Sequence, residues 1–184
     1  MSIKKILFIN GSPRKNGNTS AMLNTLHQQL DGKFKSEFIR LYDYQIGPCI
    51  DCRGCKKNDL KCIVDDDMQA LYPKIENADV LIIGTPIYWF GPSAQTKLML
   101  DRLRPQYGSQ NLAGKEAVLC TPAGTGEKDC DLTIEMFKRS FEALGIKYIG
   151  SVTAEAYDIG DLKNDDTALS EIETLTAKLN SQEL

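Results

Sequence analysis

The chain has 184 residues, 42% of them hydrophobic and 26% charged, which suits a single domain spanning 1–184 that buries roughly 70% of its unfolded surface. Its formal net charge of −3 leaves no basic excess to release counterions from nucleic acid, and no apolar run nears the ~18 residues of a membrane span. The N-terminus enters a strand without a signal-peptide pattern, so a cytoplasmic location is expected, and six Cys in that setting suggest thiol, metal or redox use over a disulfide frame.

Strand and helix signals alternate down the chain. Ile6–Ile9 is a continuous apolar run, as in a strand covered on both faces. Gly11-Ser12-Pro13-Arg14-Lys15-Asn16-Gly17-Asn18-Thr19-Ser20 follows as a polar loop. Met22, Leu23, Leu26 and Leu30 then mark a helix ending near Gly32. Strand, polar loop, helix is the layout of an anion site. Helical N–H groups and the positive dipole end face the loop, Ser12, Thr19 and Ser20 add hydroxyls, and Arg14 adds a fork suited to phosphate. The same residues also suit an ordinary turn with Thr19 or Ser20 as N-cap. The spacing matches neither a Walker loop nor the G-x-G-x-x-G fingerprint.

Ser36–Leu41 reads as a second strand, mixed in character like a sheet edge. Tyr42–Asp65 is a long Cys-rich insert. Met68, Leu71, Tyr72 and Ile75 give a helix behind three Asp, with Pro73 expected to kink or break it. Val80–Ile83 is a second fully apolar strand, and Ser93–Arg104 a helix. Ala117–Cys120 is the next strand. Ile134, Phe137, Phe141 and Leu144 mark a helix stopped by Gly145. Ile146–Val152 is a mixed strand, and Leu169, Ile172, Leu175 and Leu179 lie on the last helix.

Five strands alternating with helices imply a parallel sheet covered on both faces. Placing the mixed strands at the edges gives the order 2-1-3-4-5, a flavodoxin-like doubly wound α/β sandwich. In that order FMN binds at the switch point between strands one and three, which here means the loops after Ile9, Ile83 and Cys120. The second of these, Thr85-Pro86-Ile87-Tyr88-Trp89-Phe90-Gly91-Pro92, offers a stiff apolar wall for a flat heteroaromatic ring, with Trp89 the chain's only Trp. The alternative is that these aromatics pack against a neighbouring helix or a second subunit. Thr121 and Gly124 in the third loop allow close backbone approach.

Gly11-Ser12-Pro13-Arg14, Gly17-Asn18-Thr19, Thr85-Pro86-Ile87-Tyr88-Trp89 and Ser93-Ala94-Gln95-Thr96-Lys97 through Asp101-Arg102 resemble the NADPH-dependent FMN reductase family, and within it the iron–sulfur flavoproteins. The resemblance implies that Ser12, Arg14, Asn18, Thr19 and Ser20 hold the FMN phosphate and that Pro86, Ile87, Tyr88 and Trp89 line the isoalloxazine, with Thr121 and Gly124 beside it. It also implies a homodimer or dimer of dimers, with aromatics near the flavin completing the site across subunits. Lys97, Asp101 and Arg102 read as solvated or structural ion pairs.

Cys49, Cys52, Cys55 and Cys62 form C-x2-C-x2-C-x6-C. Three Cys at that spacing can wrap one cubane and a nearby fourth can complete it. The arrangement resembles the cluster motif of iron–sulfur flavoproteins, which ends near an Asp-Asp-Met sequence, as at Asp66-Asp67-Met68. A 4Fe-4S cluster, structural zinc and free thiols all stand as readings. Cys120 reads as a buried filler, Cys130 near a helix start as a somewhat acidic thiol, and His27 as a surface residue.

The expected function is an oxidoreductase in which FMN passes electrons from NAD(P)H to a quinone, flavin or other small-molecule or protein acceptor, with no catalytic side chain required. The rivals are a carrier reduced by ferredoxin and a non-enzymatic metal-stabilised binding or sensing module.

Overall fold

The computed structural model describes residues 3–181 except 33 and 58. In chain order the elements are β1 (Lys4–Asn10), α1 (Asn18–Gln29), β2 (Phe34–Arg40), α2 (Met68–Asn77) and β3 (Val80–Gly84). A small hairpin follows, β4 (Ile87–Tyr88) and β5 (Gly91–Pro92), then α3 (Ala94–Arg102) and α4 (Arg104–Ser109). The chain closes with β6 (Glu116–Ala123), α5 (Asp131–Leu144), β7 (Lys147–Glu155) and α6 (Asp166–Asn180).

The main sheet is parallel, in the order β2-β1-β3-β6-β7, the flavodoxin-like arrangement expected from the strand patterns. Burial follows position. β3 is buried throughout, while β2 and β7 alternate as edge strands do. Ile6, Phe8, Val80, Ile82 and Val118 face α1 and α6. Leu7, Ile9, Leu81, Ile83 and Leu119 face α2, α3 and α5. Because side chains alternate along a strand, each inner strand feeds both cores.

Several boundaries differ from the sequence reading. Helix α1 begins at Asn18 with Gly17 at its cap and no side-chain cap bond, so neither Thr19 nor Ser20 is the N-cap. Helix α2 runs on through Pro73 to Asn77. Pro73 and Gln69 are both exposed, so water can satisfy the carbonyl that the proline leaves without an N–H. The single helix expected over Ser93–Arg104 is two, α3 and α4, with Pro105 in the first turn of the second, where a missing N–H costs nothing. β6 and β7 each run three residues further than expected, pairing to Ala123↔Glu155.

The register fixes where a site can form. Asn10 lies beside Gly84, and Gly84 beside Cys120, so β1 and β3 end level with each other and their loops emerge together.

Candidate functional site

The loop after β1 is braced from within. The Asn10 carboxamide oxygen accepts from Ser12 N at 2.8 Å, and its nitrogen donates to Ser20 Oγ at 2.8 Å. Ser20 Oγ in turn donates to the Lys15 carbonyl at 2.7 Å. The first helical bond of α1 runs from Ala21 N to Gly17 O, so the amides of Asn18, Thr19 and Ser20 precede any helical acceptor. They form the positive end of the helix dipole. Arg14 reaches over the loop, with Nη1 donating to the Tyr157 carbonyl at 3.2 Å.

Asn18 ties this loop to the far end of the sheet. Its Nδ2 donates to the Asp158 carbonyl at 2.7 Å, and its Oδ1 accepts from Gly160 N at 3.1 Å and Leu162 N at 3.4 Å. The segment after β7 is thereby held as a wall opposite the loop after β3.

A cavity of about 510 Å³ opens between these loops. Ser12, Arg14, Gly17, Asn18 and Thr19 line it from the loop after β1, Pro86, Ile87 and Tyr88 from the loop and hairpin after β3, and Gly124 from the end of β6. The size suits a cofactor-sized ligand. Anion-binding groups of one loop and stiff apolar residues of another therefore share the lining of a single cavity.

Three of the residues assigned from sequence are not on this lining. Ser20 is spent on bracing the loop. Thr121 is fully buried inside the longer β6, its hydroxyl donating to the Val152 carbonyl at 3.4 Å. Trp89 is 95% exposed and lies at the tip of the β4–β5 hairpin. It and Phe90 both have left-handed backbones, φ 51° and 63°. A two-residue hairpin with this geometry favours Asn-Gly, so a Trp-Phe tip is strained. The tip is anchored by Thr133 Oγ1, which donates to the Phe90 carbonyl at 3.1 Å.

Sequence reasoning missed the wall made by Pro122, Ala123, Thr125, Asp129, Ala156 and Tyr157. An aromatic directly past the end of an edge strand was the available signal for Tyr157. Its ring lies over Gly124, where an added Cβ would come within 3.1 Å of it.

The four motif cysteines line one recess with Arg102, Arg104 and Pro105. Cys49 and Cys52 are exposed, Cys55 and Cys62 partly buried. The loop between them is tightly wound, with Asp51, Arg53, Asp59 and Leu60 all at positive φ. Gly54 N donates to Cys52 Sγ at 3.5 Å. Among the described residues no three such side chains converge on a position for a single metal ion.

Arg102 sits under this recess and is 1% exposed. Its Nη1 pairs with Asp66 Oδ2 at 2.5 Å, and its Nη2 donates to Cys62 Sγ at 3.4 Å. Burial works to raise the Cys62 thiol, but hydrogen bonds from the Val64 backbone, Tyr72 and Arg102 outweigh it, and the thiol lies below its ordinary value. Burial likewise works to raise Asp66; hydrogen bonds from Arg102 and the backbone of Gly47 and Met68 hold its carboxyl below the usual range. Lys97 and Asp101 form an exposed i,i+4 pair at 2.6 Å.

Of the other cysteines, Cys120 is fully buried, and burial pushes its thiol up to about 12. Cys130 corrects the expectation of an acidic thiol. It is buried, donates to the Thr121 and Gly126 carbonyls, and is raised by that burial. His27 is exposed, with its ring edge-on to Phe8 and Phe38.

Comparison with known proteins gives a consistent picture. The family model described as NADPH-dependent FMN reductase matches residues 4–158. An iron–sulfur flavoprotein of Methanocaldococcus jannaschii is 31% identical over 184 residues, covering 95% of each chain. A Bacillus subtilis protein named for an NAD(P)H-dependent FMN-containing oxidoreductase is 34% identical over 174 residues, covering 90% of this chain and 93% of its own. The solved structure of a Bacillus subtilis Trp repressor binding protein superposes with a TM-score of 0.71 at 29% identity, over 92% of this chain and 99% of that one.

Proposed function

We propose a site and a chemistry on one premise: the chain belongs to the NADPH-dependent FMN reductase family, and is an FMN-dependent oxidoreductase. FMN lies across the carboxyl ends of β1, β3 and β6. Its phosphate meets the open amides of Asn18, Thr19 and Ser20, the Ser12 hydroxyl and the Arg14 guanidinium. Its ring lies against Pro86, Ile87 and Tyr88, with Gly124 and Tyr157 on the side of β6 and β7. The observation that carries this reading is the cavity at the topological switch point, lined by the loop after β1 and by the loop and hairpin after β3.

When bound, FMN supplies the redox chemistry, taking electrons from NAD(P)H and yielding them to a quinone, flavin or other acceptor. The chain's own part is to bind, orient and exclude water. The carboxylate on the lining is Asp129; the proposed mechanism asks no acid or base of the protein.

Cys49, Cys52, Cys55 and Cys62 hold a 4Fe-4S cluster. Four thiols on one recess suit it, as does backbone wound to aim N–H groups at sulfur. A cubane gives each thiolate an iron of its own, so the thiols need not meet at one point as zinc would require. The name of the Methanocaldococcus relative points the same way. Exposure of Cys49 and Cys52 favours a second reading, in which a protein carrier such as ferredoxin delivers electrons to the recess. The strained aromatic tip at Trp89 and Phe90 suits burial against a second copy in a homodimer or dimer of dimers. No helix among the described residues is long and apolar enough to cross a membrane, and the chain works in the cytoplasm.

Anaerobic mixing with NADPH or NADH tests the donor. Rapid bleaching of the flavin band by either supports the reductase reading. Bleaching by a reduced ferredoxin alone supports the carrier.

A further inference from the structure

The segment from Ser93 to Arg102 carries part of the family resemblance, yet the FMN site uses none of its charged side chains. Its last residue is the least expected. Arg102 is among the largest fully buried side chains of the chain, and a buried cation is tolerated only when its donors are satisfied.

The guanidinium has five N–H groups in a planar fork. The Nη1–Nη2 end is full. Nη1 donates to Asp66 Oδ2 at 2.5 Å and to the Gly47 carbonyl at 3.0 Å, and Nη2 gives one hydrogen to Asp66 Oδ1 at 3.0 Å. The second Nη2 hydrogen points along the side edge that Nη2 shares with Nε, and there it meets Cys62 Sγ at 3.4 Å. The remaining donor on that edge, Nε–H, is buried and has no partner among the described residues. Planarity places it on the same side as the Cys62 sulfur, toward the recess lined by all four motif cysteines.

A buried donor without an acceptor is destabilising, and such orphans in a native protein call for an explanation. Here the charge is already balanced by Asp66, and the packing would be met by an apolar side chain. The unfilled edge is what an apolar residue, or a lysine, would lack.

We propose that the Nε–Nη2 edge of Arg102 is a donor pair for the sulfur-rich group held by Cys49, Cys52, Cys55 and Cys62, one hydrogen bond going to the Cys62 thiolate and the other to a second sulfur of that group. This rests on the cluster reading given above. Its consequence follows from electrostatics. N–H donors aimed at cluster sulfur stabilise the more negative, reduced form and so raise the reduction potential. Arg102 would thereby set the potential at the Cys62 corner and hold that thiol in place, while Asp66 holds Arg102.

The test compares wild type with Arg102→Lys, both prepared and reconstituted anaerobically with iron and sulfide. Lysine keeps a cation beside Asp66 but has no side edge. Iron and sulfide content, FMN content and the two reduction potentials are measured, the cluster's by EPR-monitored titration. The expected result is an FMN content and flavin potential equal to wild type with a lower cluster potential. A fully loaded variant whose cluster potential equals that of wild type overturns the assignment of Arg102 alone. Wild type that takes up no iron and sulfide overturns the cluster reading itself, and this inference with it. Should the lysine variant fail to fold, the double variant Asp66→Leu with Arg102→Met replaces the buried pair by apolar groups without stranding a charge. The same lowered potential is expected there, and a wild-type potential overturns the proposal.

Discussion

The Ser93 hydroxyl donates a 2.5 Å hydrogen bond to the Gly11 carbonyl, and that bond joins the two loops between which the cavity opens. Ser93 caps α3, its Oγ lies 2.9 Å from Thr96 Oγ1, and its N–H donates to Thr85 Oγ1 at 3.0 Å. The approach is close enough that a Cβ on Gly11 would lie 1.8 Å from Thr96 Oγ1. Only glycine lets the helix seat itself there.

Ser93→Ala leaves the Gly11 carbonyl and the Thr96 hydroxyl without their partner in a dry network. The expected cost is about 1–3 kcal/mol of stability, read as a lower urea midpoint at unchanged slope. FMN affinity should fall as well, because the loop proposed to hold the phosphate loses its anchor to the segment after β3. An unchanged midpoint would show that the network does not brace the site.

Arg14→Ala combined with Thr19→Ala should weaken FMN binding while leaving riboflavin binding near wild type, since both residues line the cavity from the loop proposed to hold the phosphate. Fluorescence titration of the apoprotein with each flavin separates the two. Equal losses for both flavins would remove these residues from the phosphate role.

The Asp66–Arg102 pair has a pH signature. Its carboxyl is held below the usual range in the folded state, so the stability it provides is fully present above the unfolded carboxylate value of about 4 and is lost as pH falls through the folded value. Asp66→Asn should cost about 3–5 kcal/mol at neutral pH by stranding the Arg102 charge. The gap between wild type and variant should hold down to about pH 5 and narrow only in stronger acid, where the unfolded carboxyl binds protons. A gap that already closes between pH 7 and 5 would contradict a depressed carboxyl.

Trp89→Asn with Phe90→Gly gives the β4–β5 tip the residues its left-handed backbone favours. Relief of strain should raise the stability of the isolated chain by about 1–2 kcal/mol. If the tip docks on a second copy, self-association measured by sedimentation should weaken in the same variant. Unchanged association would separate the aromatic tip from the oligomer.

The inner strands were legible in the sequence because Ile6–Ile9 and Val80–Ile83 are covered on both faces and therefore apolar without interruption. The mixed strands fell at the edges for the converse reason. The strand–loop–helix layout after Ile9 was legible because a run of turn residues, Gly11 to Gly17, separates an apolar strand from a helical periodicity. Trp89 was not legible as a hairpin tip, because an aromatic following a strand looks the same whether it turns inward or occupies a tip; only the φ values decide. Thr121 was misplaced because Thr-Pro-Ala after Cys120 looks like the start of a loop, while pairing with β7 extends the strand. Arg102 could not be recognised as buried, because its partners Asp66, Gly47 and Cys62 lie 36 or more positions away in the chain.

FMN is proposed to occupy the cavity between the loops after β1, β3 and β6. Its most direct test is the absorption spectrum and extracted flavin of protein purified anaerobically, followed by titration of any empty fraction with FMN. Bound FMN approaching one per chain is expected, with the flavin band quenched or shifted on binding. Protein that carries no flavin and takes up none from excess FMN would contradict it.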